Sequence, residues 1–242
     1  MASGVRTDSL VHTSGELTVR TAERQPCGGP TSQPECVSEG PGAQRPTSTC
    51  TRANKKRFMN QETDSTTISL PSSASAAEML AAAIGQIRFA RDYTLELLEA
   101  TPREHWFTIP AGLPTNIAWQ VGHLTVSQYG LLMFRIRGRQ SEDLDLIPGK
   151  FRKAYGRSST PSDDASVQPS PDELLERLGR VFESGLGVLE TVSPEVLLEP
   201  VDMPYAAYPI KLGAILFCPM HEQIHAGQIG VIRRALGLQP VR

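Results

Sequence analysis

Between Ser75 and Gly237, apolar residues recur at three- and four-residue spacing in four long runs, each closed by a proline- or glycine-rich break. This periodicity is the strongest constraint on the fold. It places one apolar stripe on each of four helices, and such stripes leave water only by packing against one another. No stretch of useful length alternates at period two, and no internal repeat is present. The expected architecture is therefore all-α, a mostly antiparallel four-helix bundle.

Local signals place the helix ends. Ser75-Ala76-Ala77-Glu78 has the form of a capping box, so the first helix is expected from there to about Ala100, before Thr101-Pro102. Its stripe is Leu80, Ile84, Ile87, Leu95 and Leu98. Thr115 or Asn116 should cap a second helix running to about Arg137, with Ile117, Val121, Leu124, Leu131 and Leu132 inward. Ser170-Pro171-Asp172-Glu173 opens a third, reaching about Leu189. The segment from Val196 to Ile210, with three prolines, reads as an extended connector. A fourth pattern spans Lys211 to Leu236, with Gly237 as its C-terminal cap and Arg233 and Arg234 near the negative end of its dipole. Pro219 inside it calls for a kink or for a helix that starts there. The connection through residues 138–169 is long for a bundle, a feature common in functional or mobile loops.

The N-terminal quarter reads differently. Residues 1–58 carry no aromatic side chain before Phe58 and are rich in Ser, Thr, Pro, Gly and Gln. They cannot bury enough apolar area to offset the entropy of ordering. The expected division is a disordered low-complexity tail over 1–71 and a folded domain over 72–242. A second reading of the tail is that translation starts at Met59, behind the run Asn54-Lys55-Lys56-Arg57-Phe58, whose codons can supply a purine-rich ribosome-binding sequence.

Residues 1–58 hold eight Lys and Arg against five Asp and Glu, a net of +3; the whole-chain −2 then leaves −5 for the remainder. A mildly acidic domain without a basic stripe argues against nucleic acid as a partner. No apolar run approaches the ~20 residues needed to span a bilayer, and no signal-peptide core is evident. Cys27, Cys36 and Cys50 lie in the tail at spacings unlike a zinc site, and Cys218 stands alone. The expectation is a cytoplasmic protein without a disulfide framework or membrane partner.

Three of the five histidines fall on expected helices. His221 and His225 are four residues apart, so about 400° of rotation leaves them about 40° from each other on one face. His123 lies on or near the buried stripe of the second helix. If the second and fourth helices pack face to face, three imidazoles converge on one metal. Any one of them alone reads as readily as a core histidine satisfied by hydrogen bonds. The string His221-Glu222-Gln223-Ile224-His225 also matches the H-E-x-x-H motif of metalloproteases. That class needs a third ligand downstream, yet residues 226–242 contain no His, Asp or Glu.

The strings Asn116-Ile117-Ala118-Trp119-Gln120-Val121-Gly122-His123-Leu124 and His221-Glu222-Gln223-Ile224-His225-Ala226-Gly227-Gln228-Ile229, continuing to Arg233-Arg234-Ala235-Leu236-Gly237, resemble the DinB-like superfamily. These metal-binding helix bundles include bacillithiol- and mycothiol-dependent transferases. The resemblance covers nearly all of 72–242. It implies a DinB-like four-helix bundle in which His123, His221 and His225 hold one divalent metal, zinc or nickel, with open positions for water. It implies as partners a low-molecular-weight thiol and an electrophilic substrate, with a homodimer as one option for assembly. Hydrolysis by an activated water, or a non-catalytic, stress-associated metal-binding role, are the alternatives.

Neighbouring residues carry weaker expectations. Cys218 is expected to be a buried structural thiol, and Glu222 a surface or ligand-supporting residue. Gln228 is placed to orient a ligand or to pack between helices. Gly122 and Gly227 are expected to let helices approach closely, and Tyr205, Tyr208 and the 138–169 connection to offer substrate contacts.

Overall fold

Asn116, Ser170 and Gly237 act as expected in the computed structural model, which describes residues 69–202 and 208–242. The Asn116 side chain accepts the Trp119 N–H at 2.9 Å and opens α2 (Ile117–Tyr129). Ser170 and Glu173 form a reciprocal capping box ahead of α6 (Pro171–Thr191). Gly237, at φ +77°, closes α8 (Lys211–Ala235) in the left-handed region that favours glycine. With α1 (Ser73–Glu99), these make a four-helix bundle in which α1 packs on α8 and α2 packs on both α6 and α8. The expectations for the N-terminal tail, for Met59 and for Tyr205 fall outside the described residues.

The first helix starts earlier than its capping signal suggests. Ser72, three residues before Ser75, is the cap, and its hydroxyl accepts the Ser75 N–H. Ala76, Ala83, Ala90 and Leu97 recur every seven residues and are buried together with Ile87 and Leu98, whereas Leu80 and Ile84 are only half-buried and Leu95 is exposed. Small residues at the contact let the α1 and α8 backbones approach, so the buried face is set by alanines that a stripe of large residues overlooks.

The second helix reaches Arg137 as expected, but not as a uniform α-helix. Gly130–Phe134 forms a π turn, and α3 (Arg135–Arg137) follows. The extra residue per turn shifts the helical phase, and such turns concentrate at functional sites. The connection after it is not a bare loop. It contains α4 (Asp143–Leu146), α5 (Gly149–Tyr155) and a single turn of 3-10 helix at Ala165–Val167. Arg137 and Tyr129 fasten α4 through the buried Asp143 carboxylate, at 2.7 Å and 3.0 Å. Arg177 of α6 donates to the Asp145 and Leu146 carbonyls.

Two further corrections concern the C-terminal half. The connector begins with a short helix, α7 (Pro194–Leu197), capped by Ser193, before an isolated antiparallel bridge joins Pro200 to Ile210. Helix α8 runs unbroken through Pro219, so the helix does not start there. Arg233 does more than face its own helix dipole: it is buried and donates to the Leu97 and Ala100 carbonyls and to the Thr101 hydroxyl. It thereby satisfies acceptors that the end of α1 leaves open. Trp106, fully buried, donates to the Thr101 carbonyl and plugs the same end. No described helix is long and apolar enough to cross a membrane.

Candidate metal centre

The packing of α2 on α8 brings the three histidines into one cluster. One ligand nitrogen from each of His123, His221 and His225 lies within 4.8 Å of the others, a group that could hold a metal ion. His123 and His225 are each 7% exposed, and His221 is half-buried. The ring centroids of His221 and His225 are 4.5 Å apart, and those of His123 and His225 are 4.8 Å apart.

Hydrogen bonds behind the rings fix which nitrogens face inward. His123 Nδ1 is 2.9 Å from the Tyr155 carbonyl, an acceptor only, so Nδ1 carries the proton and Nε2 keeps its lone pair. His225 Nδ1 is 2.5 Å from Gln120 Oε1, and the Gln120 amide nitrogen donates to the Thr115 hydroxyl. His225 Nε2 then faces His221 Nε2 at 3.2 Å. Two nitrogens bound at the usual Zn–N distance stand about 2.8–3.4 Å apart for angles between octahedral and tetrahedral. The His221–His225 pair therefore stands at metal-ligand spacing, and with His123 within 4.8 Å the group could hold one ion; outer acceptors on two ligands are the usual way a protein fixes metal-binding imidazoles.

The charge state fits as well. Burial lowers the His123 pKa. Burial, then the neighbouring imidazoles, bring His221 to about 4 and His225 to about 3. All three rings are neutral at pH 7, the form that ligates.

Side chains from other elements support this arrangement. The Trp119 indole stacks on His123 at 4.7 Å with 8° between planes, and its N–H donates to Ser159 in the long connection. Gly122 is required by the close approach of α5: a Cβ there would lie 2.2 Å from the Tyr155 ring. Gly227 plays no such part, since it is exposed and a Cβ there would meet nothing within 4 Å. Gln228 lies exposed on α8, three residues beyond His225.

Glu222 is neither a surface residue nor a support for the histidines. It is buried against α1, where its carboxylate accepts Arg91 Nε at 2.7 Å. Arg91 also donates to Gln128 and to the Leu178 carbonyl. Cys218 is buried as expected, with its thiol pushed up by burial and then by the Glu222 charge, and it is no member of the histidine group. The H-E-x-x-H string thus lacks a usable general base. Tyr208 packs half-buried against the core and does not line the cavity beside the histidines.

Sequence reasoning missed Gln120, Tyr155 and Ser159. Gln120 had a signal, three residues before His123 and so on the same side of α2. Tyr155 acts through its backbone carbonyl, which no side-chain motif marks.

The chain finds no match among curated proteins. The sequence model of the DinB superfamily, however, matches residues 86–229, more than half of the chain and a span that holds all three histidines. With the four-helix bundle and the imidazole cluster joining its second and last long helices, the match establishes that this chain belongs to the DinB superfamily.

Proposed function

We propose that this chain is a metal-dependent enzyme that holds one divalent ion, zinc or nickel, on His123, His221 and His225, and transfers a low-molecular-weight thiol to an electrophilic substrate. The observation that carries this reading is the convergence of three neutral imidazoles, without a carboxylate, on the wall of a cavity of about 820 Å³. A structural site closes its fourth position with protein, whereas three ligands facing a cavity leave room for a small molecule.

An ion held there would supply Lewis acidity, drawing a thiol of pKa about 8.5, or a water, toward its anionic form at neutral pH. The chain's own contribution is positional. Tyr155 and Gln120 hold His123 and His225 with their Nε2 atoms inward. Trp119 shields one face of His123, and Phe217 packs beside His221. Ser127 Oγ, 3.2 Å from His123 Nε2, is a hydroxyl that can turn to donate to a bound ligand.

The test is a titration of the cobalt-substituted protein with glutathione, bacillithiol and mycothiol, following the thiolate-to-cobalt charge-transfer band. A saturable band with one thiol is expected. A competent metal centre that gives no band with any of the three would refute thiol transfer and leave hydrolysis or a non-catalytic role.

A further inference from the structure

The cavity beside the histidines has a charge pattern that metal binding does not require. Four arginines line it: Arg135 from α3, Arg139 just after it, Arg152 from α5 and Arg157 just beyond α5. No Asp or Glu is among the described residues that line it. This happens in a domain whose residues from 59 onward carry an excess of five acidic groups. The cavity wall is therefore locally basic within a domain of net negative charge. Guanidinium groups gathered at a concave, partly apolar surface present a positive potential to a small anion.

One of the four arginines is fixed by the fold, and two others share a segment with the histidine site. The π turn at Gly130–Phe134 presents the Gly130 carbonyl to the Arg135 guanidinium, which donates to it at 2.9 Å and is held half-buried. Arg152 and Arg157 arrive on the same segment that carries Tyr155, the residue whose carbonyl orients His123. The arginines and the inward-facing imidazoles are thus set by shared elements. Between them the wall is apolar, with Val126, Ile147 and Phe217. A volume of about 820 Å³ suits one small molecule.

We infer that this cavity takes a small anionic molecule, with carboxylate or phosphate groups on the arginines, an apolar or neutral body along the wall, and its reacting end at the histidines. Planar guanidinium forks recognise both kinds of oxyanion through paired hydrogen bonds. The inference builds on the proposed function, to which it adds the charge class of the thiol or of its electrophile.

Calorimetric titration of the full chain with phenyl phosphate, with phenylsuccinate and with the neutral phenylethanol tests it. At least one anion should bind saturably and more weakly as salt rises, and phenylethanol should bind far less well. Tighter binding of phenyl phosphate assigns a phosphorylated ligand, and tighter binding of phenylsuccinate a carboxylated one. The double variant Arg139→Ala/Arg152→Ala should lose affinity on the order of tenfold or more, with Arg139→Lys/Arg152→Lys intermediate. Arg180→Ala, which removes a positive charge from the exposed side of α6, should change nothing.

Binding of neither anion, or anion binding that the Arg139/Arg152 double variant leaves intact, would overturn the inference. His225→Ala separates it from the proposed function. That variant should lose metal yet retain anion binding, so failure of the thiol reading leaves the arginine site standing, and the reverse also holds.

Discussion

Arg91 and Glu222 meet across the bundle from 131 positions apart in sequence, Nε to Oε1 at 2.7 Å, with each side chain only 3% exposed. The Arg91 guanidinium also lies 4.6 Å from the Phe182 ring centroid. An ion pair so fully removed from water gains little net stability as a pair, but breaking it strands a charge. Glu222→Ala should therefore cost about 3–5 kcal/mol in chemical denaturation. Replacing both partners, as Arg91→Met/Glu222→Leu, should recover most of that loss. A Glu222 variant of normal stability would contradict this structural role.

His225→Ala tests the metal assignment. Elemental analysis should find metal content reduced to a small fraction of wild type, while far-UV circular dichroism stays that of a helical bundle. Unchanged stoichiometry would defeat the three-histidine centre.

Gln120→Leu removes the acceptor behind His225 without touching a proposed ligand. Outer partners of this kind typically carry about 10–100-fold in metal affinity. Competition with a chromophoric chelator should show a loss in that range. An equal affinity would mean that packing alone orients the His225 ring.

Gly122→Ala places a Cβ where the Tyr155 ring now lies, at 2.2 Å. Overpacking a buried contact of this kind costs about 1–3 kcal/mol. Because the displaced residue carries the carbonyl that binds His123, metal affinity should fall together with stability. Gly122→Ala/Tyr155→Leu should restore part of both.

The Asp143 carboxyl gives a pH signature. Burial pushes its pKa up, but hydrogen bonds from Arg137, the Gln140 N–H and Tyr129 outweigh that and hold it below the ordinary value. A carboxyl depressed in the folded state stabilises fully above its unfolded pKa of about 3.9 and loses that contribution as pH falls through the folded value. The wild type should therefore lose stability on acidification below about pH 4. Asp143→Asn should show a shallower loss over the same window, measured by urea denaturation at each pH.

The helices and the three histidines were legible because their signals are local. Asn116 and Ser170 cap within three residues, Gly237 ends a helix by its own φ, and His221 and His225 share a face through helical spacing. Features that arise from tertiary contact were not. Glu222 cannot be placed without Arg91, whose buried position on α1 no periodicity of large apolar residues reveals. Ser75 has a cap's sequence form, yet it is the Ser72 hydroxyl that accepts the Ser75 N–H. The π turn leaves no residue signature, and Tyr155 contributes an atom that every residue possesses.

The carbonyl of Tyr155 has one more consequence, for the order in which the molecule becomes competent. His123 is steered by a group 32 residues downstream, delivered by a short helix in the long connection. The imidazole cluster is consequently complete only after that segment has docked, and it loses its alignment whenever the segment lifts away. Local opening of 149–155 is then thermodynamically linked to binding of a ligand that needs His123 in place, so such a ligand slows hydrogen exchange of the Gly149–Tyr155 amides by mass action.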